Sequence, residues 1–231
     1  MLRYEGLENI SDGRRYGLRD MARIDTMGCA GCSKCCESDM GKSIVLTPYD
    51  MYNLSLATGR TFDSLLSGFI IELSVIDGLI LPNIKMDSGC GFLKDGRCSI
   101  HAYRPDICRL FPMGRVYEGD SYFYINQVGE CPAAKSKIKV SKWIGVDDGD
   151  RYSSFIMKWH RFRRNTEKRV EKLCSLEGGD IVAKELMKCL IRDMYLEQYD
   201  TGADFYPQFE ERLKTCVGDM REISGEFMKR V

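Results

Sequence analysis

The sequence lacks any long apolar run and any excess of charge of one sign. Of its longest apolar stretches, residues 68–71 are followed directly by Glu72, and residues 76–81 are interrupted by Asp77. Both fall far short of the ~20 residues that span a bilayer. Residues 1–20 are charged and have no apolar segment typical of a secretory signal. We therefore expect a cytoplasmic protein with no membrane partner.

The charge balance argues against a general attraction to nucleic acid. Lys and Arg total 34, as do Asp and Glu, so no protein-wide field is expected. The one dense basic segment, residues 158–172, fits the solvent face of an amphipathic helix, which is the interpretation we favour. Binding of RNA, an acidic partner or a phosphate-bearing substrate by this segment remains the alternative.

Motifs for nucleotide cofactors and common hydrolytic chemistry are also missing. The chain has no GxGxxG, GxxxxGK[ST], GxSxG or HExxH, and no CxxxCxxC run of the radical S-adenosylmethionine type. Cysteine, in contrast, is abundant, with eight of the eleven residues between Cys29 and Cys131. In a reducing compartment such a group indicates metal ligands or redox groups rather than disulfides.

The distribution of cysteine and of hydrophobic periodicity divides the chain into three regions. We predict an N-terminal extension over residues 1–27, a cysteine-cluster metal-binding domain over 28–142, and a helical C-terminal region, 143–231, packed on it. The expected fold class is α+β, with a small, loop-rich domain of short strands and helices before the helical region. The later cysteines lie on apolar stripes or their flanks and are interpreted as core: Cys174, Cys189 and Cys216.

The densest group of thiols is the run Cys29-x-x-Cys32-x-x-Cys35-Cys36. Two-residue spacers let the chain fold back so that several thiolates reach one metal or one cluster. In extended structure the adjacent Cys35 and Cys36 would point apart and could hardly both bind one mononuclear ion. Further candidate ligands follow at Cys90, Cys98, Cys108 and Cys131. The alternative for each later cysteine is that of a small, inert buried residue.

These cysteines come with a specific set of flanking residues. The set comprises Ile44-x-Leu46-Thr47, Gly96-x-Cys98-x-Ile100, and Arg104-Pro105-x-x-Cys108-Arg109-x-Phe111-Pro112. In this order they resemble the YkgJ-like CxxCxxCC cysteine-cluster family, described as a zinc- or iron-chelating domain, over residues 28–132. The resemblance implies that all eight cysteines belong to the metal-binding signature. Flagellin lysine N-methylases contain a similar domain, associated there with an iron-sulfur cluster.

The predicted cofactor is an iron-sulfur cluster, with 4Fe-4S favoured and zinc as the alternative. Zinc prefers a closed tetrahedron of four thiolates, so eight cysteines could form two such sites. The irregular spacings after Cys36 do not divide into two zinc knuckles, which favours a cluster.

Three polar residues near these cysteines are candidates for a supporting role. Arg104 and Arg109 flank Cys108, where a guanidinium would lower thiol pKa values and offset cluster charge. Alternatively, Arg104 ties a loop and Arg109 pairs with a carboxylate. His101 stands where many members of the family carry Tyr, and is either a ligand or a surface residue.

Three functions are compatible with these features. The first is a cluster-carrying protein for electron transfer or a cluster-dependent accessory role, which exchanges electrons with a protein partner or acts on a substrate. The second, suggested by the flagellin methylase resemblance, is an S-adenosylmethionine-dependent protein lysine methyltransferase-like enzyme. The third is a zinc-stabilised interaction domain. Whether the chain catalyses a reaction stays open at this point.

Overall fold

The computed structural model describes residues 6–26, 33, 35–39, 44–86, 89–131 and 136–229. Its strands are β1 Met21–Asp25, β2 Ile44–Val45, β3 Ile71–Ile76, β4 Leu79–Ile84, β5 Leu93–Lys94, β6 Arg97–Cys98, β7 Met113–Glu118, β8 Ser121–Asn126 and β9 Ser136–Lys139. Its α-helices are α1 Leu7–Ile10, α2 Pro48–Thr58, α3 Phe62–Ser67, α4 Asp106–Leu110, α5 Val140–Ile144, α6 Gly149–Cys174, α7 Gly179–Ile191 and α8 Phe205–Met228. The predicted α+β class, with small sheets and a helical C-terminal region, is confirmed.

The chain forms two compact units, each built from two segments. The first unit combines residues 1–44 with 86–157, and the second combines 45–85 with 158–231. Residues 45–85, which lie inside the predicted cysteine-cluster domain along the sequence, thus fold with the C-terminal helices. The predicted boundaries at 27/28 and 142/143 remain a prediction.

The described part of the first unit contains three small antiparallel pairs, β1 with β9, β5 with β6, and β7 with β8. The longest is the β7–β8 hairpin, which runs in register from Met113 opposite Asn126 to Glu118 opposite Ser121. Gly119 occupies the left-handed conformation (φ 59°) that this tight turn requires. Buried aromatic rings accompany these short strands, among them those of Tyr16, Tyr124 and Trp143.

In the second unit, the β3–β4 hairpin turns at Asp77 and Gly78, which both have positive φ (51° and 73°). An Asp-Gly pair is a preferred two-residue hairpin turn because it tolerates this conformation. The helix α2 begins at a complete capping box: the side chain of Thr47 accepts from the amide of Asp50, and the carboxylate of Asp50 accepts from the amide of Thr47.

The core of the second unit lies between the amphipathic helices. α8 packs along α7, and its inward face carries Phe209, Cys216 and Met220, each at most 2 % exposed. At its C-terminal end α7 continues into a π-helical turn, Arg192–Leu196. None of the helices in the described ranges is both long and apolar enough to cross a membrane.

Candidate metal centre

Four of the eight predicted ligands lie in one region of the first unit. Cys35 and Cys36 occupy a π-helical turn, Cys35–Asp39, Cys90 follows strand β4, and Cys98 ends β6. All four are half-buried. Cys35 and Cys36 are not in extended structure, and the helical turn brings their Sγ atoms to 3.9 Å. Both thiols therefore face the same region.

A backbone hydrogen bond joins the segment of Cys90 to the turn that carries Cys35 and Cys36. The amide of Cys90 donates to the carbonyl oxygen of Cys36 at 2.8 Å. Gly89 has a φ of 98°, and a Cβ atom there would lie 3.4 Å from the same oxygen. This left-handed conformation and close approach favour glycine. The backbone at Gly89 thus positions Cys90 beside the CxxCxxCC run.

A short hairpin then places Cys98 near Cys90. Strands β5 and β6 pair Leu93 with Cys98, and the amide of Leu93 donates to the carbonyl of Cys90 at 2.9 Å. The amide of Ser99 donates to the carbonyl of Phe92 at 2.8 Å and closes the loop. Residues 90–99 therefore hold two half-buried thiols on one compact structure.

The electrostatics show that these thiols influence one another. The pKa of Cys36 is raised by its contact with Cys35, by burial, and by the charges of Cys90 and Cys98. Burial raises the pKa of Cys90, with a further contribution from Cys35, and it raises the pKa of Cys98, to which Cys90 and Cys35 add. Without a cation the thiols are thus held protonated, and a bound metal would replace their protons.

Backbone amides and one arginine oppose these shifts. The amides of Phe92 and Leu93 hydrogen-bond the sulfur of Cys90, and that of Ile100 hydrogen-bonds the sulfur of Cys98; both interactions lower the thiol pKa. The charge of Arg104 also lowers the pKa of Cys98. Donors of this kind stabilise a metal-bound thiolate and tune the reduction potential of a cluster.

Of the other predicted ligands, the structure describes Cys108 and Cys131. Cys108 lies on α4 and Cys131 follows the β7–β8 hairpin; both are half-buried in the first unit. Cys29 and Cys32 lie outside the described residues. Among the sulfurs that the structure describes in this unit, no three lie within 4.8 Å of one another.

The supporting residues have distinct positions. Arg109 is buried and donates to three carbonyl oxygens, those of Arg104 (2.7 Å), Ala102 (2.6 Å) and Gly145 (3.2 Å), rather than to a carboxylate. Arg104 contacts the ring of the exposed His101, whose pKa is lowered by partial burial and by the charge of Arg104. Arg109 thus orders the segment before Cys108, while Arg104 is the cation that acts on a candidate ligand.

A buried ion pair that the sequence analysis missed also holds α4. Arg115 on β7 donates to both carboxylate oxygens of Asp106, at 2.8 and 3.0 Å, and to the hydroxyl of Tyr152 at 3.0 Å. Burial lowers the pKa of Arg115, but the charge and hydrogen bonds of Asp106 outweigh it and the pKa rises. Asp106 precedes Cys108 by two residues, so the pair fixes the helix that carries this thiol.

Comparison with known proteins supports a metal-binding role. Residues 28–136 match the family model CxxCxxCC, described as "putative zinc- or iron-chelating domain". The match confirms the family resemblance predicted from the cysteine pattern and covers all eight predicted ligands. Searches of curated proteins and of solved structures found no match.

Proposed function

We propose that the CxxCxxCC domain binds an iron-sulfur cluster, with 4Fe-4S favoured, and that the protein transfers electrons or serves a cluster-dependent accessory role. Such a cluster, when bound, supplies reversible one-electron exchange. The proposed setting is a reducing cytoplasm, where the thiols stay available to the cluster, and the proposed partner is a redox protein.

The main support is the arrangement of Cys35, Cys36, Cys90 and Cys98. Contact with Cys35, burial and neighbouring charges raise the pKa of Cys36, and burial and neighbouring charges raise the pKa of Cys98, yet no three of these described sulfurs lie within 4.8 Å of one another. A tetrahedral zinc site needs all its sulfurs about 3.8 Å apart, given a Zn–S bond of ~2.3 Å. Thiolates that bind different irons of a cluster are held farther apart, so a wider group favours the cluster. Because Cys35 and Cys36 are in contact, we expect only one of them to bind a given cluster directly.

The basic segment does not enter the proposal. Three of its residues make ion pairs, Lys158 with Glu210, Arg163 with Asp77 and Arg164 with Glu167. These pairs offset part of the positive charge that a nucleic acid would meet, which favours a solvated helix face.

Anaerobic purification followed by iron, zinc and acid-labile sulfide analysis tests the proposal. We expect about four irons and four sulfides per chain, and an electron paramagnetic resonance signal on reduction. Cys90→Ser and Cys98→Ser should lower the iron content, while Cys174→Ser, an exposed thiol of the second unit, should not. Stoichiometric zinc with no labile sulfide and no visible charge-transfer absorption would overturn the iron-sulfur assignment.

A further inference from the structure

The second unit contains a separate group of buried metal-ligating side chains. Cys189 on α7, Asp193 on the π-helical turn and Cys216 on α8 are 4 %, 3 % and 0 % exposed. One ligand atom from each lies within 4.8 Å of the other two. Cys189 and Asp193 are four residues apart and so share one face of the helix, opposite Cys216. The apolar stripes of the sequence predict only ordinary core for both cysteines.

The distances within this group match those of a tetrahedral metal site. The two Sγ atoms are 3.8 Å apart, and the Sγ of Cys189 lies 3.3 Å from Oδ2 of Asp193. Two sulfurs bound to one zinc at ~2.3 Å with a tetrahedral angle are separated by about 3.8 Å, and a sulfur and an oxygen by about 3.6 Å. Little movement would thus bring all three atoms into coordination.

The surrounding charges suit a divalent cation. Arg192 donates to both carboxylate oxygens of Asp193, at 2.5 and 3.2 Å, and to Asp219 at 2.6 Å. It also lies 3.6 Å from the Sγ of Cys189. With both thiols protonated, these two carboxylates and one guanidinium carry one net negative charge. When a divalent ion displaces the two thiol protons, the net charge of the whole group, ion included, stays at minus one. Arg192 would remain outside the metal and contact two of its ligands, Asp193 and Cys189.

An open cavity borders the group at one residue. Asp193 lines this cavity together with Glu197, Gln208, Glu211, Arg212 and Thr215. An ion and a water molecule as fourth ligand would enter from this side. The π-helical geometry of this turn is stabilised by Arg212, which donates to the carbonyl oxygens of Asp193, Glu197 and Gln198. Such turns occur frequently at functional sites.

We propose that Cys189, Asp193 and Cys216 form a second metal site, independent of the CxxCxxCC domain, that binds zinc. Two thiolates and a carboxylate are ligands that zinc accepts, and thiolates disfavour magnesium and calcium. The bound ion would join α7 to α8 in the core of the second unit.

Zinc content after equilibrium dialysis of the full chain tests the site. We expect Cys216→Ser and Asp193→Asn to bind one zinc fewer per chain than the unaltered protein. Cys174→Ser is the matched control, since this exposed cysteine ends α6 and belongs to no such group, and it should bind as much zinc as the unaltered protein. Iron and sulfide contents should be the same in all four proteins, which separates this site from the first centre.

Alkylation of the unaltered protein gives a second readout that needs no substitution. Peptide mass spectrometry reports the alkylation of Cys189 and Cys216 individually. Zinc at ten times its dissociation constant should slow their reaction about tenfold, because alkylation requires an opening that zinc disfavours. Equal zinc content in all four proteins, or alkylation rates that zinc does not change, would overturn the proposal. A Cys189–Cys216 disulfide in anaerobically prepared protein would overturn it too.

Discussion

Replacing Arg115 by methionine should destabilise the first unit strongly. The side chains of Arg115 and Asp106 are only 7 % and 11 % exposed, and the rings of Tyr122, Tyr124 and Tyr152 lie 5.4–5.8 Å from the guanidinium. Methionine fills a similar volume but leaves the carboxylate of Asp106 buried without its cation. Removing one partner of a buried pair costs about 3–5 kcal/mol, whereas replacing both by apolar residues is often close to neutral.

Urea unfolding measures this effect. With a slope of about 2 kcal/mol per molar urea, the midpoint for Arg115→Met should fall by about 1.5–2.5 M. The control is Arg15→Met, because Arg15 makes the same two-bond contact with Glu118 (2.7 and 3.1 Å) at an exposed position, and this variant should leave the midpoint almost unchanged. The variant Arg115→Met/Asp106→Leu should recover part of the loss. If Arg115→Met behaves like Arg15→Met, the buried pair does not hold α4 and the reasoning fails.

Three further changes test other parts of the structure. Gly89→Ala should lower the metal content and the stability of the first unit, because it forces a Cβ atom into the left-handed conformation beside Cys36. Gly91→Ala is the control, since a Cβ atom there meets no atom within 4 Å. Equal metal content in the two variants would contradict this prediction. Thr47→Ala should lower the free energy of unfolding by about 1 kcal/mol and Thr47→Ser by much less, measured by chemical denaturation. Burial, with a hydrogen bond to an aspartate, raises the pKa of Tyr16 from 10 to about 12, so its stabilising contribution is present below pH 10 and lost as pH rises through 12. The stability difference between the unaltered protein and Tyr16→Phe should therefore shrink over this range, and a constant difference would contradict the assignment.

Local sequence signals predict the structure wherever a few neighbouring residues determine the backbone conformation. The capping box at Thr47 fixes the start of α2, and the Asp77-Gly78 pair fixes the β3–β4 turn, because each motif satisfies its own hydrogen bonds or φ angles. The cysteine pattern likewise predicted the CxxCxxCC family. The π-helical turn at Cys35 was not predictable, since two adjacent thiols say nothing about local backbone geometry.

Sequence patterns do not predict contacts between residues that lie far apart in the chain. The ion pair of Asp106 and Arg115 joins a helix to a strand, and in the sequence its members are ordinary charged residues. Cys189 and Cys216 are 27 residues apart on two different helices, and each fits its apolar stripe. Hydrophobic periodicity assigns a cysteine to the core, but it cannot show which polar atoms share that core.

The two cysteine groups differ in what holds the sulfurs before a metal arrives. In the second unit, Cys189 and Cys216 are carried by long packed helices, so their separation is set by the apolar core around them. In the first unit, Cys98 ends a two-residue strand and Cys90 lies in the loop before another, so their position depends on a few backbone hydrogen bonds. Short strands stabilise such a loop weakly, and burial, with the charges of neighbouring cysteines, disfavours the thiolate forms of Cys90 and Cys98 without a cation. Metal binding should therefore contribute more to the folding of the first unit than to that of the second, whose helices pack without it.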